Sequence, residues 1–338
     1  MPSLRAPRRT PPALFSLLAI LLASLLLLSS LRSLSPRQPS EERPPPRQHP
    51  RAPAPLPLLA SLPADFEDAY RDSGGFFADL PKASWSRQKE KHRSSPFRGP
   101  RLPSPAHEWY QLNYEPSFTC QHVLRLGGNG DGPKWVCDPF RVGGGGCLVY
   151  SVGSSNDFGF ETSVHEIVGS ECEIHTFDCT VSLARATNKP EYVHYHEWCL
   201  GDAQSVSLNP LSRLGSWIFG GLNGQVRSMA EVVAELGHEG RTVDLFKIDC
   251  EGCEFAGADG PSPLWEQLTD SGVAPKQILI ELHAGTTQKP RSHAERLMEH
   301  FESRGYVAFS KEANFAHIAG RKQCIEYSFI KLEPSFFE

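Results

Sequence analysis

The order of apolar and polar positions divides the chain into three stretches. From Ala13 to Leu31 the residues are uncharged and Leu-rich, with Arg5, Arg8 and Arg9 before them and Arg32 after. From Ser35 to Pro105 proline dominates and apolar residues are sparse. From His107 onward apolar runs of strand length alternate with helix-like segments, which predicts a parallel sheet with crossover helices. Cys147–Val152, Glu173–Phe177, Val193–Leu200, Val243–Ile248 and Gln277–Leu282 read as strands one to five. Phe160–Val168, Ser228–His238 and Arg291–Arg304 read as helices, with Ser228 as a cap and Gly305 as a stop. Tyr306–Phe309 and Ile325–Leu332 read as two closing strands. No helical crossover fits between them, so they should pair antiparallel.

The first stretch approaches the ~20 apolar residues that cross a bilayer. Basic residues upstream predict an N-terminus in the cytosol and translocation of the rest. The preferred reading is a basic segment at 1–12 and a signal-anchor at 13–31, giving a single-pass type II protein of the Golgi or ER. The alternative is a cleaved signal peptide and a secreted product. Either reading places the remainder in an oxidising compartment. Residues 1–105 hold 19 of the 29 prolines, and 32–105 reads as a disordered stem. Within it Ala64–Leu80 is a short-helix candidate limited by Gly74-Gly75, and Ser84–Ser104 reads as a solvated tether.

Charge sharpens this division. Residues 1–105 carry 16 basic and 8 acidic residues, whereas 106–338 carry 18 and 31. An acidic folded part argues against a duplex nucleic-acid groove, so no nucleic-acid partner is expected. No Asn-x-Ser/Thr sequon is present.

The candidate chemistry lies at strand ends, where open α/β sheets bind ligands. Strand four runs into Asp249, Glu251 and Glu254, broken by Gly252. Strand five ends in Glu281 and His283. Strand one leads into Gly153-Ser-Ser-Asn-Asp-Phe-Gly159, where small residues let backbone approach a ligand. Asp178 closes strand two, 25 residues after Gly153, at the position where an acid accepts hydrogen bonds from ribose hydroxyls. Asp202 follows strand three. The Gly-x5-Gly spacing and the closing hairpin favour a single nucleoside over a dinucleotide. All nine cysteines lie between Cys120 and Cys324, and the odd count leaves at least one unpaired if the others bridge within the chain. Cys250-Glu-Gly-Cys253 reads as a structural disulfide or buried thiols rather than a redox pair. No second Cys-x-x-Cys completes a zinc site, so no metal is expected. His165, His175, His194 and His196 read as structural.

Two segments carry a family resemblance: Val149-Tyr-Ser-Val-Gly-Ser-Ser-Asn-Asp-Phe-Gly-Phe-Glu161 and Phe246-Lys-Ile-Asp-Cys-Glu-Gly-Cys-Glu254. The chain resembles the FkbM-type class I S-adenosylmethionine-dependent methyltransferases over roughly residues 107–334. The resemblance implies an α/β, Rossmann-like seven-stranded sheet with an antiparallel last strand over 106–338, binding S-adenosylmethionine. It places Gly153, Ser154, Asp157 and Gly159 in the cofactor loop. It sets Asp178 on the ribose hydroxyls, Asp202 near adenine, and Asp249 beside the methyl-transfer site. The first loop departs from the family in lacking a Gly-x-Gly core.

Methyl transfer to a hydroxyl needs in-line alignment and removal of a proton. His283 is the expected general base, because an unperturbed imidazole titrates near neutrality. Asp249 or Glu251 would orient the acceptor or bind a cation; in such a compartment the acceptor is a glycan, a protein or a small hydroxylated molecule. Two other readings compete. One is an inactive methyltransferase-fold binding module. The other is a type II glycosyltransferase, which predicts an Asp-x-Asp motif that the sequence lacks.

Overall fold

The computed structural model describes residues 63–95, 113–143, 146–201, 225–260, 262–283, 287, 289–314 and 324–338. The expected anchor at 13–31, most of the stem and Asp202 lie outside the described residues. Among the described residues no helix is long and apolar enough to cross a membrane.

In chain order the elements are α1 (Glu67–Asp72), α2 (Lys82–Arg93), β1 (Val123–Leu126), β2 (Lys134–Cys137) and β3 (Leu148–Val152). Then come α3 (Gly159–Ser163, continued by a π-type turn over Val164–Val168), β4 (Glu173–Phe177), β5 (Val193–His196), β6 (Trp198–Leu200) and β7 (Gln225–Arg227). The remainder is α4 (Met229–Leu236), β8 (Leu245–Ile248), α5 (Leu264–Asp270), β9 (Gln277–His283), α6 (Pro290–Ser303), β10 (Tyr306–Ala313) and β11 (Cys324–Lys331).

Seven strands form one sheet in the order β10-β11-β9-β8-β3-β4-β5. β3, β4, β5, β8 and β9 run parallel, and β11 is antiparallel to both β9 and β10. This is the expected α/β sheet with its antiparallel last strand. Period-two alternation assigns each strand residue to one of two layers. Tyr150, Phe246, Ile248, Ile278, Ile280 and Leu282 face α4, α5 and α6. Val149, Leu245 and Leu279 face the opposite layer, built from α1, α2, α3 and the β1–β2 hairpin. Glu281 and His283 share the parity of Leu279, so they too face the hairpin. Ser228 caps α4 as expected, in a reciprocal capping box with Glu231.

Two expectations are corrected. The third strand is not continuous from Val193 to Leu200: Glu197 interrupts it, and β6 leaves the main sheet to pair with β7. The stem does not remain disordered to residue 105, because α1 and α2 pack into the core. Trp85 is 1% exposed and packs tilted or edge-on against Phe77, Phe118 and Phe336 with ring centroids 5.6, 6.0 and 5.6 Å away. Its indole N–H donates to Asp72 Oδ2 at 2.9 Å, and Lys89 bridges the same carboxylate to the Ser335 carbonyl. The lysines and arginines of α2 disguise this narrow buried stripe in the sequence. Trp85→Phe should therefore cost about 1–3 kcal/mol in urea unfolding, since it removes one hydrogen bond to a buried carboxylate. A tether residue would change stability by less than about 0.5 kcal/mol.

Candidate active site

Chain order reverses at β3, with β4 and β5 added on one side and β8 and β9 on the other. Such a switch point leaves a crevice beyond the strand ends. A cleft of about 1250 Å³ opens there, lined by Gly153, Ser154, Asp157, Asp178, Asp249 and Glu251 among others. Trp198 and Leu200 of β6 form part of its wall, and the Cys179–Cys199 disulfide ties that wall to the end of β4.

The loop after β3 is fixed by backbone geometry. Gly153 has φ +84°, and a Cβ there would stand 1.7 Å from the Asp249 carbonyl oxygen, so only glycine fits. Its N–H donates to the Phe177 carbonyl at 2.9 Å, and Lys247 Nζ donates to its carbonyl at 2.6 Å. Gly159 is packed against Gly127, and its N–H donates to Asp157 Oδ1 at 2.9 Å.

Asp178 is saturated. Its Oδ2 accepts from Ser154 N–H, Ser154 Oγ and Ser155 N–H at 2.9, 2.8 and 2.9 Å. Its Oδ1 accepts from Thr180 N–H, Thr180 Oγ1 and Val181 N–H at 2.8, 2.7 and 3.2 Å. Burial works to raise its pKa, but the bonds from Thr180, Ser154 and Ser155 outweigh it and hold the carboxyl below its usual value. A carboxylate offers about four lone-pair sites. The acid expected to hold ribose hydroxyls is thus already committed to shaping the loop.

Below Asp249 lies a buried charge cluster. Lys134, 1% exposed, donates to Asp249 Oδ2 and Glu326 Oε1, each at 2.9 Å. Burial opposes its charge, yet Asp249 and Glu326 hold it protonated. Burial likewise opposes the charge of Asp249, but Lys134 and Lys247 keep its pKa well below the usual range. Burial and the Asp249 charge push Glu281 up. Burial pushes Glu326 to about 7 against the pull of Lys134. Asn314 Nδ2 donates to Glu281 Oε1 at 3.0 Å.

His283 is buried, and it is not among the residues lining the cleft. Its Nδ1 is 3.0 Å from Glu254 Oε1, which also accepts the His283 N–H at 2.6 Å. Burial disfavours its charge, but Cys324, Glu254 and Glu281 push its pKa up to about 11. An imidazole protonated at neutral pH has no lone pair for a substrate proton, which corrects the expectation of a general base. Glu251, with φ +57°, sits on the rim between Cys250 and Cys253, which form a disulfide as one of the two readings had it. Three further disulfides join Cys120–Cys137, Cys147–Cys172 and Cys179–Cys199, leaving Cys324 as the free thiol.

The structure therefore gathers Gly153, Ser154, Asp157, Asp178, Asp249 and Glu251 around one cleft, and keeps His283 behind it. Lys134, Lys247, Glu326 and Trp198 are additional participants. Lys134 stood in an Asp-Gly-Pro-Lys-Trp run without a predicted strand, so nothing in the pattern aimed it at Asp249.

A seven-stranded sheet of this order, with one crevice at its switch point, is the Rossmann-like fold of class I methyltransferases. Residues 67–331 match the model of a family described as a methyltransferase domain, and the chain belongs to that family. No curated protein sequence matches it. Among solved structures it is similar to a fibrillarin pre-rRNA processing protein of Methanococcus jannaschii, at 14% identity and TM-score 0.32, covering 55% of this chain and 66% of that one. It is also similar to the N-methyltransferase NodS of Bradyrhizobium japonicum in complex with S-adenosyl-L-homocysteine, at 9% identity and TM-score 0.31, covering 56% and 78%. A third is the bifunctional kinase-methyltransferase WbdD, at 14% identity and TM-score 0.32, where the match covers 57% of this chain and 36% of that one. The chain thus spans only part of these proteins' lengths.

Proposed function

We propose that this methyltransferase-family chain transfers a methyl group from S-adenosylmethionine to a hydroxyl on a small molecule, glycan or protein. The observation that carries this reading is the switch-point cleft with Asp249, paired with Lys134, at its floor. A cleft of about 1250 Å³ accommodates a nucleoside bearing an amino-acid chain. Trp198 gives its wall an aromatic surface suited to a purine, and Asp249 gives its floor a fixed negative charge suited to a cationic ligand. When bound, the cofactor supplies an electrophilic methyl on a sulfonium.

The chain's own residues do the rest. Gly153 brings the loop backbone close to the cleft, and Asp178 holds Ser154 and Ser155 in place. Lys134 and Lys247 keep Asp249 ionised. Glu251, on the rim with its side chain 60% exposed, is the carboxylate placed to take a proton from an incoming hydroxyl. The finer assignment to the FkbM type rests on the Phe246–Glu254 run.

We place the activity in the secretory pathway or outside the cell, with residues 13–31 as an anchor or a removed signal. Four disulfides support an oxidising compartment. One observation favours a second reading, an inactive binding module: the full commitment of Asp178 to its own loop. Calorimetric titration of the full, oxidised chain with S-adenosylmethionine and S-adenosylhomocysteine separates the two. Saturable binding, weakened about tenfold or more by Asp249→Asn, is expected. A folded, oxidised protein that takes up neither ligand would sink the enzyme reading.

A further inference from the structure

Among the described residues three groups of side chains bring metal-competent atoms together. In the first, Cys120 and Cys137 spend their sulfurs on each other beside Asp138. In the second, Arg241 Nη1 already donates to Glu173 Oε2 at 2.6 Å, so a cation fills the position an ion would take. His175 bonds to His196 and Glu173 at 2.9 and 3.0 Å, and His238 to Tyr150 and Glu173 at 2.6 and 3.2 Å. Neither group offers a site.

The third group is different. β9 and β11 pair antiparallel with Glu281 opposite Glu326 and His283 opposite Cys324. Alternation puts all four side chains on one face of this ladder. Ligand atoms of Glu281, His283 and Cys324 lie within 4.8 Å of one another. His283 Nε2 stands 3.8 Å from Glu281 Oε2 and 3.8 Å from Glu251 Oε2. That spacing is close to the edge, roughly 3.3 Å, of a tetrahedron of ligands held at about 2.0 Å. The other ring nitrogen, Nδ1, is bonded to Glu254, a carboxylate placed as metal sites place the partner that orients a ligating imidazole. A separate observation points the same way. Glu326 Oε2, on a residue 6% exposed and directly across the ladder from Glu281, is a buried oxygen with no hydrogen-bond partner.

We propose that Glu281, His283 and Cys324 bind a divalent cation of the zinc class, with Glu254 orienting the imidazole. Thiolate, imidazole and carboxylate together select a borderline-soft ion, not the magnesium or calcium that all-oxygen sites hold. The ion replaces the protons on Cys324 Sγ and His283 Nε2, which leave to solvent as it binds. This site stands whether or not the cleft binds S-adenosylmethionine.

The test uses the full, oxidised chain with Zn²⁺ alone and with Co²⁺ alone. Dialysis against Zn²⁺ followed by metal analysis should return one equivalent per chain. Co²⁺ should give a near-ultraviolet thiolate-to-metal absorption band, which Cys324→Ser removes. Glu254→Gln should weaken Zn²⁺ affinity by about 10- to 100-fold, as loss of an orienting partner does. The wild-type cobalt spectrum needs no variant, so misfolding of a variant cannot hide the answer. No stoichiometric metal in the wild-type chain, no thiolate band, or a band that survives Cys324→Ser would overturn the proposal.

Discussion

Lys134→Met is expected to destabilise the fold by about 3–5 kcal/mol, the cost of removing one partner from a buried ion pair. The lysine lies on β2, and its ammonium is the cation hydrogen-bonded to both Asp249 and Glu326. Glu281 lies close enough to feel the same charge. Methionine fills similar volume and supplies no charge, so the loss reports electrostatics and not a cavity. Three carboxylates would then share a buried space with little compensation. Adding Glu326→Gln to Lys134→Met should recover part of the loss, because one stranded charge is gone. The two effects should be non-additive, as expected for groups in direct contact. Urea unfolding of Lys134→Met, Glu326→Gln and the double variant against the wild type measures this. A loss below about 1 kcal/mol for Lys134→Met would mean that water reaches the cluster and screens it.

That cluster also shows where sequence reasoning reaches and where it stops. The parallel strands β3, β8 and β9 were legible because each is built on a short apolar run, and buried strands have that signature. The acids at strand ends were legible for the same reason: Asp249 and Asp178 stand where an apolar run stops. What pairs with them was not legible. Lys134 and Asp249 are 115 residues apart in the chain, and nothing local in the sequence brings them together. His283 shows a related limit. Its residue type suggested a base, but the sign of its pKa shift depends on Glu254 and Cys324, which only the packing of β9 against β11 and the rim loop supplies. The break at Glu197 escaped because Val193–Leu200 has unbroken strand propensity, and tertiary pairing with β7 overrides it. The helix at Lys82–Arg93 escaped for the opposite reason: surface charge outweighs a stripe of few buried residues, whereas α1 lies inside the short-helix candidate Ala64–Leu80.

The committed carboxylate of Asp178 leads to the second large effect. Asp178→Asn should weaken binding of S-adenosylhomocysteine by at least about 100-fold, near the loss of two charge-assisted hydrogen bonds. Asparagine is no conservative choice here. Each carboxylate oxygen accepts from three donors, so an amide must aim its NH₂ group at one set of N–H and O–H donors. The loop carrying Ser154 and Ser155 would loosen, or the Thr180 turn would. Two roles give the same loss in this single variant: an anchor for ribose hydroxyls, or a clamp that shapes the loop. A ligand lacking both ribose hydroxyls separates them. If Asp178 anchors the ribose, removing the hydroxyls weakens wild-type binding and changes little in Asp178→Asn. If Asp178 acts as a clamp, the two losses add to within about 0.5 kcal/mol, as independent perturbations do. The six donors already filling the carboxylate predict addition, with the ligand's contacts made by the loop backbone that Asp178 holds. Coupling above about 1 kcal/mol in calorimetric titration would return the ribose to Asp178 and require Ser154 Oγ and Thr180 Oγ1 to turn away when the ligand enters.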